Sequence, residues 1–127
     1  MERIEEFTRD GKNFIYFDLS DLQKLDDFVQ LMEVAKLIIA KYSELSVHTI
    51  INVKHTRFDT SVKEVLVKWL EYNKPYVNNG VIVGINGIKK IMLDSILSMS
   101  GRMNMVCLPK KETAINWLMQ NGAFSES

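Results

Sequence analysis

The sequence predicts an α/β fold built on a mostly parallel sheet. Two strand-like segments, residues 3–8 and 13–18, flank Asp10 and Gly11, a dipeptide that suits the positive φ angles of a tight hairpin turn. After this hairpin, helical and strand-like periods alternate along the rest of the chain. Right-handed crossovers return each strand beside its predecessor, so the alternation indicates a parallel sheet with one antiparallel edge strand at its N-terminal end.

The first helix is predicted from Ser20 to about Tyr42. Ser20 and Gln23 have the spacing of a capping box, which satisfies free backbone N–H groups at a helix start. An apolar stripe follows at helical spacing, counting the aliphatic stem of Lys36: Leu22, Leu25, Val29, Met32, Lys36 and Ile39. We expect this stripe to face the core.

The strand at residues 47–53 has two unlike sides. Val47, Thr49, Ile51 and Val53 alternate with a second set, His48, Ile50 and Asn52. We expect the His48 side to be the more open face of the sheet and the helices to pack mainly on the other face. An open face that carries Ile50 would favour a homodimer.

The remaining elements follow in strict alternation. They are a helix at 60–72 that Pro75 ends, an apolar strand at 81–85, a helix at 88–100 that Gly101 caps, a strand at 105–108, and a helix at 110–120 after Pro109. The third helix has an unusually wide apolar arc: Ile88, Ile91, Met92, Ile96 and Met99 form the predicted inward stripe, and Leu93 and Leu97 extend it. Such an arc indicates either a helix wedged between neighbours or a surface for a dimer or membrane contact.

Composition indicates one domain over residues 1–127 and excludes several classes of protein. The 16 acidic and 16 basic side chains cancel, so no bulk charge points to nucleic acid. Cys107 is the only cysteine, which leaves no internal disulfide and no cysteine-based zinc site, and its apolar neighbours predict an inert buried thiol. The chain begins with acidic residues, MERIEEF, and holds no apolar run of membrane-spanning length. We expect a cytoplasmic protein.

No catalytic constellation is visible in the sequence. His48 and His55 lie seven residues apart, with no carboxylate at metal-ligand spacing. Adjacent acids such as Asp26 and Asp27 point to different sides of a helix and cannot act as one acid/base couple. The sequence therefore predicts no enzyme activity, no metal and no cofactor.

Several segments resemble the SpoIIAA-like proteins of bacteria, a branch of the STAS and CRAL-TRIO superfold. The resemblance covers roughly residues 13–118 and rests on Lys74-Pro75-Tyr76, VIVGINGIKKIML at 81–93, Ser100-Gly101-Arg102 and Ala114-Ile115-Asn116-Trp117-Leu118. It implies a mostly parallel βα superhelix with an added N-terminal strand. It also implies a non-enzymatic protein, because relatives either bind partner proteins under phosphorylation control or hold apolar ligands.

The resemblance also implies a site at the start of the second helix. STAS anti-sigma factor antagonists carry a phosphorylated serine there, and Asp59, Thr60 and Ser61 fall at the corresponding place, with Ser61 as the acceptor. A phosphate would meet the free N–H groups and the positive dipole of the helix N-terminus. The alternative is helix capping alone, by Ser61 with Glu64 or by Asp59 or Thr60.

Basic residues recur where the parallel strands end. This predicted rim lies along one edge of the sheet, where lysines in a first helical turn oppose the helix dipole and so hint at an anion. Its members are Lys54, Arg57, Lys89, Lys90, Lys110 and Lys111. Solvated surface lysines are the alternative interpretation.

Two functions remain open from the sequence. The first is a cytoplasmic STAS-like regulatory module that binds a protein partner or a second copy of itself, with Ser61 as a phosphorylation site. The second is a carrier or peripheral membrane protein that binds a lipid-like molecule or another anionic ligand on the basic rim.

Overall fold

A five-stranded mixed sheet forms the centre of the molecule, in a computed structural model that describes residues 3–85, 87–101 and 104–121. The strands are β1 (Ile4–Arg9), β2 (Lys12–Asp18), β3 (Val47–Asn52), β4 (Val77–Val83) and β5 (Met105–Leu108). They lie side by side in chain order. β1 and β2 are antiparallel, and every other neighbouring pair is parallel. The predicted α/β class and the antiparallel edge strand are confirmed.

The β1–β2 hairpin turns at the predicted dipeptide. Asp10 and Gly11 have φ angles of 53° and 78°, and Arg9 pairs with Lys12 across the turn. Two successive positive φ angles match the right-handed twist of the flanking strands, which explains why this dipeptide closes the hairpin.

Three of the four helices lie on one face of the sheet. The helices are α1 (Leu25–Ile39), α2 (Thr60–Asn73), α3 (Gly87–Ser100) and α4 (Lys111–Asn121). α2 packs against both α1 and α3, and the three helices share one apolar core with the strands. At its centre the ring of Trp69 meets the ring of Phe17 edge-on, with the centroids 4.9 Å apart.

The second face of the sheet is covered by α4. This helix packs on β3, β4 and β5, where Ala114, Ile115 and Leu118 bury the side chains of Ile50 and Val81. The expectation of an open face is therefore wrong, since Ile50 is fully buried and only 3% of His48 is exposed. The argument for a dimer through this face no longer applies.

The first helix begins later than predicted. The backbone N–H and hydroxyl of Ser20 both donate to Asp18 Oδ1, at 2.9 and 2.5 Å, which holds the chain in a turn and not in a helix. α1 starts only after Lys24, without a side-chain cap, and ends at Ile39. Its buried face is Phe28, Leu31, Met32, Ala35 and Ile39, so the predicted stripe is partly wrong, and Val29 is 41% exposed.

The fourth strand begins four residues earlier than predicted and ends two residues earlier, at Val83. β4 begins at Val77 because it pairs with β3 from Val47 onward, across a register irregularity near Thr49. The sequence did not predict this early start, because Asn78 and Asn79 are polar and interrupt the apolar run. The other late elements lie within about one residue of prediction, and Gly101 has the expected positive φ of 72° at the end of α3.

Candidate functional site

A groove runs between α2 and α3 on the outer surface of the domain. It has a volume of about 320 Å³ and is lined by Thr60, Lys63, Glu64, Val67, Lys68, Glu71 and Met99. Six of these residues come from α2, at positions one turn apart along a single side of the helix. Val67 and Met99 are its apolar lining residues, and the other five are polar or charged, with Lys63 and Lys68 positive and Glu64 and Glu71 negative.

Two large apolar side chains of α3 are exposed, and one of them lines this groove. Ile91 is 75% exposed and Met99 is 59% exposed, although both were predicted to face inward. Ile96 of the predicted stripe is buried, as is Leu93, and both contact the core next to Trp69. The side chains of Ile88 and Met92 lie outside the described residues. The wide apolar arc in the sequence was the signal for this surface: a helix in contact with one neighbour buries only part of such an arc.

The N-terminus of α2 is capped by Asp59. One carboxylate oxygen of Asp59 accepts the backbone N–H of Val62 at 3.0 Å, and the other pairs with the guanidinium of Arg57. The Val62 N–H, followed by the Arg57 side chain, holds the pKa of this carboxyl below its usual range. Arg57 also donates to the backbone oxygen of Gln23 at 2.9 Å, which ties the cap to the loop before α1.

Ser61 and Thr60 lie just inside α2 and do not cap it. Thr60 is the first helical residue and lines one end of the groove, and Ser61 is the second. Ser61 is exposed, and among the described residues its hydroxyl has no hydrogen-bond partner. The capping box expected from Ser61 and Glu64 is therefore not the cap, because the Asp59 carboxylate already holds the N–H that a cap satisfies.

Three cations of the predicted basic rim each pair with a different carboxylate. Arg57 pairs with Asp59, Lys90 lies 3.4 Å from Asp94, and Lys111 lies 3.0 Å from Glu5. Lys111 also has its ammonium 4.2 Å from the ring centroid of Tyr16.

The other three cations of the rim are Lys54, Lys89 and Lys110. Lys54 and Lys110 are exposed, and neither has an ion-pair partner within the described part of the chain. The side chain of Lys89 lies outside the described residues. An anion-binding rim remains a prediction, with Lys54 and Lys110 as its uncommitted cations.

The interior of the domain is closely packed under α2 and α3. The cavity there is lined by core side chains that include Leu19, Phe58 and Trp69, and it has a volume of about 10 Å³. Such a space is at the lower limit for a single water molecule and is far too small for a lipid chain.

Neither a metal-ligating cluster nor a membrane-spanning helix is found in residues 3–85, 87–101 and 104–121. Among the residues that the structure describes, no three His, Cys, Asp or Glu side chains come together as a metal site requires. Within the same ranges, every helix is too short or too polar to cross a bilayer.

No protein-family model matches the chain, and no curated protein matches it.

Proposed function

We propose that this domain is a non-enzymatic protein-interaction module of the STAS-like, SpoIIAA-like kind, and that its partner docks on the groove between α2 and α3. The observation that carries the proposal is the pair of exposed apolar side chains, Ile91 and Met99, on the outer side of α3 with Met99 lining the groove. Apolar side chains surrounded by charged ones are typical of docking surfaces on soluble domains. Methionine suits such a surface because its flexible thioether adapts to a partner.

The βα superhelix is part of this proposal. The parallel order of β2 to β5 and the position of α1, α2 and α3 on one face support it. The small cavity in the core gives no support to the carrier function.

Control of docking by phosphorylation is the second part of the proposal. Ser61 presents a free, exposed hydroxyl one residue after Thr60, which lines the groove. A phosphate on Ser61 adds close to two negative charges at the end of the docking surface. The helix dipole stabilises that charge without any change in the fold, so the modification alters the surface and leaves the domain intact.

Site-specific photo-crosslinking in cells tests the docking surface. A photoreactive residue at Ile91 or Met99 should give a discrete adduct with a partner protein. Leu37 on α1 is the matched control, because it is an apolar residue with the same 75% exposure on another helix. Equal adducts from position 37, or none from positions 91 and 99, would contradict the proposal.

Four substitutions, two of them control variants, test the docking surface and its regulation by phosphorylation. Ile91→Glu places a charge on the apolar patch and should abolish the adduct formed from position 99, whereas Leu37→Glu should not. Ser61→Asp should reduce that adduct, and Ser61→Ala should leave it unchanged. If neither Ser61→Asp nor phosphorylation changes the yield of the adduct, the proposed regulation by phosphorylation is wrong, and the proposed docking surface still stands.

A further inference from the structure

The outer edge of β1 has free backbone groups. Arg9 and Lys12 flank a two-residue turn and form a hydrogen-bonded pair, and such pairs recur at every second residue of an antiparallel ladder. The bond from the Asp18 N–H to the Arg3 oxygen, 2.7 Å long, continues this pattern at the far end of the hairpin. Ile4, Glu6 and Thr8 therefore direct their N–H and C=O groups away from β2, and no strand among the described residues pairs with them.

Of the antiparallel registers centred on Glu5, Glu6 and Phe7, only the one centred on Phe7 joins two copies of this edge without repulsion. A register centred on Glu6 or on Glu5 places that carboxylate against its own copy, which is unfavourable. A register centred on Phe7 pairs each Glu6 with Thr8 and each Glu5 with Arg9 of the second copy. It uses the outward backbone groups of Glu6 and Thr8, which can form four hydrogen bonds across a two-fold axis.

The side chains of this edge suit that register. Glu5, Phe7 and Arg9 lie on the α4 side of the sheet, where Lys111 and Glu112 at the start of α4 pair with Glu5 and Arg9. The Phe7 ring is half-buried and stacks on Phe14, with the centroids 5.0 Å apart and 4° between the planes. The edge thus presents a fixed aromatic ring between a negative residue and a positive residue.

We propose that two copies of this chain associate through antiparallel pairing of their β1 edges about Phe7, which joins their sheets into one continuous ten-stranded sheet. The charge order of β1 selects a second copy in preference to an unrelated strand, because Glu5 and Arg9 meet their opposites at both ends of the interface. This contact is remote from the docking groove and does not depend on the proposed function.

Cysteine cross-linking tests the register. At a non-hydrogen-bonded antiparallel pair the Cα atoms lie about 4.5 Å apart, within the range that a disulfide spans. In a Cys107→Ala background, Phe7→Cys should give a disulfide-linked dimer under mild oxidation. Thr8→Cys is the matched control on the same edge, because in this register the two Thr8 positions lie about 8 Å apart. Equal cross-linking by Thr8→Cys would overturn the register.

A charge exchange tests the interface with the Phe7 ring in place. Sedimentation velocity of the unmodified chain should show a monomer–dimer equilibrium. Arg9→Glu sets a second carboxylate against Glu5 of the other copy and should raise the dimer dissociation constant by about tenfold or more. Adding Glu5→Arg to that variant should recover most of the association, although the single variant loses the internal pair with Glu112 and the double variant also loses the pair with Lys111.

Two results would overturn the proposal. One is an unmodified chain that stays monomeric at millimolar concentration, and the other is a dimer that Arg9→Glu leaves unchanged. Circular dichroism of each variant establishes that the monomer is folded, so that a loss of association reports on the interface.

Discussion

Replacement of Gly84 by alanine should destabilise the domain more than the same change at Gly11. Both glycines have a left-handed backbone, with φ angles of 83° and 78°, so both substitutions incur the conformational cost of about 1–2 kcal/mol. At Gly11 a new Cβ meets nothing within 4 Å. At Gly84 it would lie 2.8 Å from Asn52 Oδ1 and 2.9 Å from the backbone nitrogen of Lys54, which are closer than any normal contact.

The contacts of Asn52 set the additional cost at Gly84. Asn52 accepts the Lys54 N–H at 3.0 Å and donates to the Tyr16 hydroxyl at 3.0 Å, so a displaced Asn52 side chain weakens two hydrogen bonds. Overpacking of this kind typically costs a further 1–3 kcal/mol. We therefore expect Gly84→Ala to lose about 2–5 kcal/mol in total, against about 1–2 kcal/mol for Gly11→Ala.

Urea denaturation measures the difference directly. With a slope of about 1–3 kcal/mol per molar urea, an excess loss of about 2 kcal/mol lowers the midpoint by roughly 1 M relative to Gly11→Ala. Equal midpoints for the two variants at equal slopes would refute the close approach of Gly84 to the β3–α2 loop.

Two further predictions concern Ser61 and His48. Ser61→Ala should change the free energy of unfolding by no more than about 0.5 kcal/mol, because the Ser61 hydroxyl has no described partner. Asp59→Ala removes the cap and should lower the melting temperature clearly. If thermal unfolding shows the larger loss for Ser61→Ala, then Ser61 and not Asp59 caps α2. Burial, with a smaller contribution from Lys12, lowers the pKa of His48 from 6.5 to about 4, so the unfolded chain binds a proton between these values that the folded chain does not. The free energy of unfolding should fall by about 1 kcal/mol per pH unit from pH 6.5 towards 4, and His48→Leu should remove this part of the pH dependence. Equal slopes of the free energy of unfolding against pH for the two proteins would contradict the prediction.

Features that depend on local backbone chemistry could be predicted from the sequence. Asp10-Gly11 and Gly101 occupy the positive-φ positions that their residue types favour. The end of α2 followed from Pro75, two residues after Asn73, and its start lay among the capping candidates Asp59, Thr60 and Ser61. In each case the signal and its effect lie within a few residues of each other.

Features that depend on distant contacts could not be predicted in this way. Ile50 is buried because α4, more than 60 residues later, crosses β3, and the alternation within β3 carries no information about that helix. Ser20 has the spacing of a helix cap, but its partner is Asp18, and the competing turn delays α1. Ile91 and Met99 had the periodicity of a core stripe, and only the position of α3 at the end of the helical layer leaves them exposed.

The candidate site was anticipated only in part. The residues Asp59, Thr60 and Ser61 were identified at the start of α2, but which of them caps the helix depends on the geometry of the Arg57 pair. The groove beside them is formed by two helices whose relative placement is set by the sheet. Charged residues such as Lys63 and Glu71 carry no sequence signal that would distinguish a groove wall from any solvated helix surface.

The late position of α4 in the chain has a consequence for biosynthesis. Phe14, Ile50 and Val81 emerge from the ribosome well before Leu118, the residue that completes their cover. At about 5–20 residues per second, this apolar surface of the nascent chain remains uncovered for seconds. A transcript that ends before α4 would produce a chain with that surface permanently open, and such a product should be retained by chaperones or aggregate, whereas the full chain folds.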